Sequence, residues 1–374
     1  MIRVGVNLLW LRPGLVGGSE EYLARQLAPL ADVAPELDVT IFATPATRAA
    51  HPELADRLTV VAPPVPITSR PSRVAAESTW LARQARRRRL DLMHHGGGTV
   101  PAVTGCDAVV LTVHDLQYLA FPEFFSTTRR RYLAVTMPRS IARAQAVCVP
   151  SRFVADTIVD AFGTTRSKLF VVPHGLPAVP VHATPAGDLR GRLGLAPSFP
   201  EQFVVYPAIT HPHKNHVTLL EALARTPGIG LVLLGGAGRA EDDVHGAIER
   251  LGLADRVARP GRVSDADRDG CYRAALATAF PSRYEGFGAP VIEAMDVGCP
   301  LLAADATALP EVVGDGGWLL PPTDIEAWAD ALATLRDDAA GRQRWAAAGR
   351  SRAARFPGAV SARALVAAYR SVLP

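Results

Sequence analysis

Two glutamates in the second half of the chain have a spacing that could serve a ligand. Glu285 and Glu293 have seven residues between them, and the turn Gly286-Phe287-Gly288 lies inside that interval. Because Pro290 suits the first turn of a helix, the sequence predicts a helix that begins at Ala289 or Pro290. Glu285 is then expected in the loop before this helix, and Glu293 in its first turn. The free N–H groups of that turn suit a phosphate or a sugar oxygen.

A lysine lies where it could neutralise a leaving diphosphate. Lys214 belongs to the segment HPHKN, residues 211–215, which follows the first strand of the second half. Lysine is rare in this chain, since the other one is Lys168. A cation at the carboxyl end of a strand can balance charge that a divalent metal balances elsewhere. The alternative is a lysine in an ordinary surface loop.

Further candidates follow strands of the first half. His114 and Asp115 end the apolar run AVVLTVHDL, and a histidine there can bind a sugar hydroxyl or a carbonyl oxygen. Asp115 could orient the backbone of His114 or a hydroxyl group of an acceptor. Gly17 and Gly18 follow the first strand, and glycine lets the backbone approach a ligand closely. The structural alternatives are a satisfied core histidine and an ordinary turn.

A second glycine-rich turn contains Gly235 and Gly236 and follows the apolar run GLVLL. Such a turn occurs in dinucleotide-binding folds, but no acidic residue about 20 positions later completes a ribose site. The acidic runs 241–243 and 265–267 lie at predicted helix starts, where carboxylates suit the helix dipole. We therefore expect neither a metal site nor a cofactor.

Alternating apolar strands and amphipathic helices position these residues. The alternation predicts an α/β fold, with parallel sheets in two Rossmann-like, doubly wound domains. At 374 residues the chain is long enough for two domains of ordinary size. Ser19 is predicted to cap the first helix. The predicted boundaries are 1–176 for the first domain, 177–188 for a Pro/Ala-rich linker, 189–356 for the second domain and 357–374 for a terminal helix.

Composition and charge restrict the class of protein. With 48% hydrophobic and 20% charged residues the chain is globular, and its four cysteines form no C-x-x-C pair. Residues 1–180 carry a net charge of +6 and the remainder −2, so the first domain favours an anionic acceptor or a membrane surface. The arginine run 86–89 lacks interleaved aromatics, which argues against nucleic-acid binding.

The expected location follows from two sequence features. No apolar stretch is long enough to span a bilayer, and the short apolar run at the start is interpreted as a buried strand and not as a signal peptide. We therefore expect a cytoplasmic protein, with peripheral contact at the inner face of the membrane through the basic first domain as an additional prediction.

The segment AFPSRYEGFGAPVIEAMDVGCPLLAADATALPE, residues 279–311, resembles the retaining glycosyltransferases of family 4, which carry a Glu-x7-Glu signature in this setting. The resemblance covers nearly the whole chain and is strongest from Phe203 to Pro322. It implies a GT-B architecture, in which two Rossmann-like domains face a cleft. The first domain would bind an acceptor, the second would bind a nucleotide-sugar donor, and the terminal helix would return to the first.

The resemblance also implies roles for the candidate residues. Glu293 would hold the ribose hydroxyls, Glu285 would contact the donor sugar, and Lys214 would stabilise the departing diphosphate with the N–H groups of the 286–289 turn. His114 would orient the sugar from the other domain. The remaining contacts would come from Gly235 and Gly236 to the nucleotide, from Arg259 to the base, and from Gly17 and Gly18 to the diphosphate or the acceptor.

One motif departs from the family pattern. The family has an Arg or Lys upstream of the phosphate-binding lysine, whereas this chain reads AITHPHKN there, so the basic residue is absent or replaced by histidine. The second phosphate contact is therefore left without a predicted residue. Members of the family are described as retaining the anomeric configuration, because the acceptor attacks the same face that the phosphate leaves and the leaving phosphate assists it. We therefore name no protein nucleophile.

The resemblance implies transfer of a sugar, without a metal ion, from a GDP-mannose-like, dTDP- or UDP-linked donor to a hydroxyl acceptor. The acceptor would be a glycan, a lipid-linked molecule or a small molecule. Two alternatives have the same two-domain architecture. One is a nucleotide-sugar epimerase or hydrolase, and the other is a non-catalytic nucleotide-sugar-binding protein.

Overall fold

The computed structural model describes residues 1–14, 17–177 and 181–373. The chain divides into two compact units, Met1–Pro177 with Pro357–Pro374 and Ala178–Phe356. Each unit has one parallel sheet with flanking helices, as predicted for two Rossmann-like domains. Residues 178–180 of the predicted linker lie outside the described residues.

The sheet of the first unit is built from buried apolar runs. Its strands are β1 (Ile2–Asn7), β2 (Leu37–Phe42), β3 (Thr59–Val61), β4 (Leu92–His95), β5 (Ala108–Thr112), β6 (Ala146–Val149) and β7 (Leu169–Val171). They are hydrogen-bonded in the order β3-β2-β1-β4-β5-β6-β7. In β1, Val4 lies opposite Val39 and Val6 opposite Ile41, so these side chains share one buried layer.

The helices of the first unit connect these strands. They are α1 (Gly18–Leu27), α2 (Leu30–Val33), α3 (Pro45–Ala50), α4 (Pro52–Ala55), α5 (Arg70–Ala76), α6 (Ala82–Arg88), α7 (Gln117–Ala120), α8 (Thr127–Arg143) and α9 (Arg152–Phe162). A π-helical turn, Glu77–Leu81, joins α5 to α6. The terminal helix, Gly358–Arg370, is α18 in chain order, and its buried face contributes Leu365 and Tyr369 to the first unit's core.

The second unit repeats the plan. Its strands are β8 (Phe203–Pro207), β9 (Gly230–Leu234), β10 (Val257–Gly261), β11 (Ala277–Phe280), β12 (Leu301–Ala304) and β13 (Trp318–Leu320), in the order β10-β9-β8-β11-β12-β13. Its helices are α10 (Ala186–Arg192), α11 (His216–Arg225), α12 (Glu241–Arg250), α13 (Asp265–Ala274), α14 (Ala289–Asp296), α15 (Leu309–Val313), α16 (Ile325–Asp337) and α17 (Ala339–Ala353).

Three local features differ from the predictions. The predicted cap at Ser19 is wrong, because α1 begins at Gly18 and Gly17 occupies the cap position without a side-chain hydrogen bond. Helix α8 has no counterpart among the predicted elements, since its arginines and Pro138 interrupt the apolar period. Helix α10 begins at Ala186, inside the segment 177–188 that was predicted as a linker.

Candidate functional site

The loops after β8, β9 and β11 meet at one edge of the second unit's sheet. β8 lies between β9 and β11, and the strand order reverses there. Parallel strands end at the same edge, and open α/β sheets bind ligands at such a switch point. Lys214, Gly235 and Glu285 each lie in one of these loops. The sheet topology therefore brings together residues that are far apart in the sequence.

An ion pair joins Lys214 to Glu285. The Nζ atom of Lys214 lies 2.6 Å from Oε1 of Glu285, and the two side chains are only 19% and 12% exposed. Nζ also lies 5.7 Å from the centre of the Phe280 ring. A charge-assisted hydrogen bond with little exposure restricts both side chains more than a surface pair does. The ammonium group is thus held at the carboxyl edge of the sheet.

The buried Tyr206 fastens the lysine loop to the loop after β11. Its hydroxyl donates a hydrogen bond to the carbonyl oxygen of Lys214 at 2.7 Å and lies 2.9 Å from Oγ of Ser282. Burial, together with the nearby charge of Glu285, raises the pKa of Tyr206 well above its usual range, so the phenol keeps its proton. The backbone N–H of Arg283 also donates to the carbonyl oxygen of His213 at 2.8 Å.

Asn215 fixes the other end of the lysine loop. Its φ of 58° is left-handed, a conformation that asparagine tolerates better than most residues. Its side-chain amide donates to the carbonyl oxygens of Pro281 at 3.1 Å and Pro322 at 2.7 Å. Thr218 donates to its Oδ1 atom at 2.9 Å. These bonds determine the direction in which the chain leaves Lys214 to enter α11.

The glycine turn between the two glutamates leads into α14, which begins at Ala289 as predicted. Gly288 has a φ of 93°, and a Cβ atom there would lie 2.8 Å from Cδ2 of Leu309. Phe287 is buried and meets Phe356 edge to face, with ring centres 5.7 Å apart. The backbone N–H of Glu285 donates to Oγ1 of Thr307 at 3.0 Å. The turn that carries Glu285 is therefore held from both sides.

The placement of Glu293 in the first turn of this helix is wrong. Because α14 starts at Ala289, Glu293 is its fifth residue and lies in the second turn. Its side chain is 10% exposed, and Oε2 lies 3.6 Å from Nε of Arg268 on α13. Burial alone would lower the pKa of Arg268, but Glu293 and the neighbouring carboxylates raise it, so the guanidinium stays charged. Arg268 is therefore a charged partner that lies beside Glu293.

A cavity of about 330 Å³ opens beside the lysine loop, at the ends of β8, β9 and β10. Gly235, Gly236 and Arg259 all line it, so three of the predicted donor-binding residues do lie together. Arg259 forms an ion pair with Glu241. Thr210 donates to the other oxygen of Glu241 at 2.6 Å and accepts from the backbone N–H of Gly238 at 2.6 Å. The cavity therefore has a polar, ordered wall of suitable size for part of a nucleotide.

Replacing Gly235 with alanine is expected to destabilise the second unit by about 1–3 kcal/mol, the usual cost of overpacking. A Cβ atom at Gly235 would lie 2.4 Å from the carbonyl oxygen of Ala208, and a backbone atom cannot move aside. Chemical denaturation measures the change. The matched control is Gly246→Ala in α12, where a Cβ atom meets nothing within 4 Å and should not destabilise the protein. Equal stability of the two variants would contradict the packing argument.

The histidines of the lysine loop do not replace the missing basic residue. Burial, followed by the charge of Lys214, lowers the pKa of His213 to about 3. Burial and the same charge also lower the pKa of His211. The two rings stack with their centres 5.8 Å apart. Both side chains are therefore neutral near pH 7 and can offer a phosphate hydrogen bonds but no positive charge.

The first unit places His114 two residues beyond the end of β5. Its Nε2 atom lies 2.9 Å from the carbonyl oxygen of Gly96 and must donate to it, because that oxygen can only accept. Burial lowers the pKa of His114, so the ring is neutral and its Nδ1 atom is an acceptor. Tyr22 and Trp10 flank the ring, with centres 5.3 Å and 5.8 Å away. His114 is thus oriented to accept a hydrogen bond from a hydroxyl group.

The other candidates of the first unit are more exposed. Asp115 accepts a hydrogen bond from the backbone N–H of Gln117 at 2.9 Å, so it shapes the start of α7. Gly17 has a φ of 65°, and a Cβ atom at Gly17 or Gly18 would meet nothing within 4 Å. Glycine is therefore required at position 17 for its backbone conformation.

The acidic runs take structural roles. Asp265 and Asp267 lie in the first turn of α13, where the hydroxyl of Ser264 accepts from the backbone N–H of Asp267 at 3.1 Å. The hydrogen bond from Arg192 is the main reason that the pKa of Asp267 lies well below its usual range. Within residues 1–14, 17–177 and 181–373, no cluster of three His, Cys, Asp or Glu side chains could hold a metal ion. No helix in the same ranges is both long and apolar enough to cross a membrane.

Several residues that support the site were not predicted from the sequence. Asn215 could have been found, because an asparagine between a lysine and a predicted helix is a common left-handed residue. Tyr206 looked like one more apolar residue of a buried strand. Thr307 and Arg268 carry no local signal, since each contacts a glutamate that is distant in the sequence.

Two family models match the chain. Residues 197–352 match the model for glycosyl transferases group 1. Residues 16–178 match the model for glycosyltransferase family 4. The two matches lie side by side and together cover most of the sequence.

Curated relatives align with about three fifths of the chain. The O-antigen chain mannosyltransferase B of Escherichia coli is 29% identical over 238 residues, which are 62% of this chain and 62% of the relative. The D-inositol 3-phosphate glycosyltransferase of Xylanimonas cellulosilytica is 34% identical over 241 residues, which are 61% of this chain and 57% of the relative. The chain thus spans less than two thirds of the length of each relative.

Solved structures match the fold over nearly the whole chain. The Anabaena protein Alr3699/HepE, in complex with UDP and glucose, has a TM-score of 0.77 at 24% identity and covers 99% of this chain and 100% of its own. The sucrose-phosphate synthase of Thermosynechococcus elongatus has a TM-score of 0.76 at 20% identity, with 99% and 98% covered. At these identities the likeness concerns the fold alone.

Proposed function

Because the chain belongs to the group 1 glycosyltransferases of family 4, we propose that it transfers a sugar from a nucleotide-diphosphate sugar to a hydroxyl group of an acceptor. In this reaction the acceptor oxygen forms a bond to the anomeric carbon, the bond from that carbon to the diphosphate breaks, and the hydroxyl proton is released. The observation that carries the proposal is the Lys214–Glu285 pair beside a cavity at the switch point of the second sheet.

The proposed roles follow from the charges. Lys214 binds the diphosphate and stabilises the negative charge that grows on it as the glycosidic bond breaks. The free N–H groups at the start of α14, after Gly286 and Phe287, add partial positive charge there. Glu285 exchanges its bond to Lys214 for hydroxyl groups of the donor sugar. Lys214 and the N-terminus of α14 both place positive charge near the diphosphate, which supports transfer without a metal ion.

The nucleotide is proposed to occupy the cavity beside Gly235 and Gly236. Arg259 is available for the base once its ion pair with Glu241 opens. Glu293, which lies beside Arg268, is proposed to accept hydrogen bonds from the ribose hydroxyls. His114 is proposed to accept a hydrogen bond from a sugar hydroxyl, and Asp115, Gly17 and Gly18 are assigned to acceptor or diphosphate binding.

The donor is proposed from what the similar proteins are called. One curated relative is a mannosyltransferase, which favours a GDP-mannose-like donor. One structural neighbour was solved with UDP and glucose, which keeps a UDP sugar among the proposed donors. Retention of configuration is proposed from the family resemblance, with same-face attack assisted by the leaving phosphate.

A thermal-shift screen with GDP, UDP, ADP and dTDP sugars is the test of donor binding. We expect one nucleotide to raise the melting temperature, because a ligand that binds only the folded state stabilises it. NMR of the product should then show the anomeric configuration of the donor. A sugar product formed without any acceptor would indicate an epimerase or hydrolase. Binding without turnover over a broad acceptor panel would indicate a non-catalytic binding protein.

A further inference from the structure

A cavity of about 830 Å³ opens in the first unit, on the side of β1, β2 and β3. Its walls come from the loops that follow these strands, residues 9–13, 44–46 and 63–67, and from the start of α5. Because the three strands are parallel, all of these loops lie at the carboxyl edge of the sheet. The volume falls within the range of small-molecule sites, and the edge is where α/β sheets bind ligands.

One wall of this cavity is apolar. It is formed by the segment Pro63–Ile67, which contains three prolines and two β-branched residues. Val65 is 69% exposed, an unusual position for a large apolar side chain. The prolines also have no N–H groups to hydrogen-bond with a polar ligand. This wall is suited to a hydrocarbon chain.

The lining of the cavity also includes three arginines, Arg12, Arg70 and Arg73. Among the described residues, no carboxylate lies within ion-pair distance of Arg12 or Arg70, and no acidic residue lines the cavity. Guanidinium groups bind phosphate and carboxylate oxygens in pairs, and an unbalanced cluster of them attracts an anion.

Arg73 lies near a buried carboxylate. Its Nε atom lies 3.8 Å from Oε1 of Glu77, whose side chain is only 9% exposed. The amide of Asn7, at the end of β1, donates to the same carboxylate at 3.2 Å. Glu77 starts a π-helical turn, a feature that often occurs at functional sites. Among the residues that the structure describes, Arg73 is thus the arginine of this cavity with a carboxylate within ion-pair distance, and Arg12 and Arg70 have none.

The positive charge continues towards the loop after β5. Burial, followed by the nearby charge of Arg70, lowers the pKa of Arg129 on α8. The repulsion between these two guanidinium groups would be relieved by a bound anion. The charge of Asp115, next to His114, acts on the pKa of Arg129 in the opposite direction.

We propose that this cavity binds the acceptor, and that the acceptor is a phosphate ester carried on an apolar chain. The inference rests on the proposed function. A small phosphorylated metabolite would leave the proline-rich wall uncovered, and a neutral lipid would leave the arginines unpaired. A phosphorylated amphiphile satisfies both halves of the cavity.

Decyl phosphate is the probe, and its binding to the full chain is measured by titration calorimetry below the concentration at which it forms micelles. We expect the double variant Arg12→Ala/Arg70→Ala to bind it at least about tenfold more weakly, the scale of losing charge-assisted contacts. The matched control is Arg86→Ala/Arg87→Ala, which removes the same charge from exposed positions at the end of α6. Its affinity for decyl phosphate should equal that of the unchanged protein.

A second variant tests the apolar wall. Val65→Asp places a charge at an exposed position, so the protein should still fold, and it should weaken decyl phosphate binding without changing the affinity for inorganic phosphate. Equal affinity of the Arg12→Ala/Arg70→Ala protein and the unchanged protein would overturn the proposal. Inorganic phosphate or decanol binding as tightly as decyl phosphate would also overturn it, in favour of a small phosphorylated or a neutral acceptor. Thermal shifts with nucleotides, measured on the same proteins, show whether donor binding persists. If it does, the acceptor proposal fails while the proposed function stands.

Discussion

Lys214→Ala should lower the rate of sugar transfer by roughly 10²-fold or more, the scale of losing one electrostatic contact to a transition state. Glu285 holds the ammonium group of this lysine at the switch point, and the histidines beside it are neutral because burial lowers their pKa. The loss should appear mainly in kcat, because the diphosphate gains negative charge as the glycosidic bond breaks. Steady-state kinetics with the donor identified by thermal shift measures it.

The chain contains its own control for this experiment. Lys168 is the other lysine, and its Nζ atom only donates to the carbonyl oxygen of Ala142 at 2.9 Å in the first unit. Lys168→Ala removes the same charge and should leave transfer unchanged. Circular dichroism of Lys214→Ala would show whether the partner carboxylate, left without its cation, disturbs the fold. A folded Lys214→Ala protein with normal turnover would contradict the assignment.

Glu285→Gln should also lower transfer by roughly 10²-fold or more, while leaving the nucleotide affinity nearly unchanged. The substitution keeps the shape of the side chain but removes the charge that pairs with Lys214 and accepts sugar hydroxyls. Comparing thermal shifts with the free nucleoside diphosphate and with the nucleotide sugar separates the two effects, since only the sugar contacts Glu285 in the proposed complex.

Glu201→Gln is a suitable control for this change, because Glu201 is exposed in the same unit, before β8. The double variant Lys214→Ala/Glu285→Gln should be little less active than the less active of the two single variants, since the two side chains act as a pair. Strictly additive losses would show that the pair is not a functional unit.

Much of the fold could be predicted because its signals are local. Apolar runs such as GLVLL and ATAF are short, are followed by Gly235 and Pro281 respectively, and become buried strands. Pro290 after a glycine turn fixed the start of α14 within one residue. Where the local signal is mixed, the prediction failed. The arginine-rich α8 was missed, and Ser19 was taken for a cap that Gly17 provides through its backbone.

The candidate site was less accessible to this kind of reasoning. Glu293 was placed one turn too early, and its partner Arg268 lies on a different helix. The segment HPHKN offers histidine in place of the basic residue that the family has upstream of its lysine, but burial lowers the pKa of His213 and keeps it neutral. The stretch 63–73 contains the proline-rich wall of the first unit's cavity together with Arg70 and Arg73, but Arg12 follows β1, so only the fold brings the third arginine to them.

The sequence alone determined the residue types and their approximate elements: two glutamates around a glycine turn, a rare lysine after a strand, and alternating strands and helices. Tertiary structure decided which of them meet. The order of parallel strands places the loops after β8 and β11 side by side, and this joins Lys214 to Glu285 across 71 positions of the chain. Burial then set the charge of the neighbouring histidine, since removing water from the His213 ring favours its neutral form and lowers its pKa.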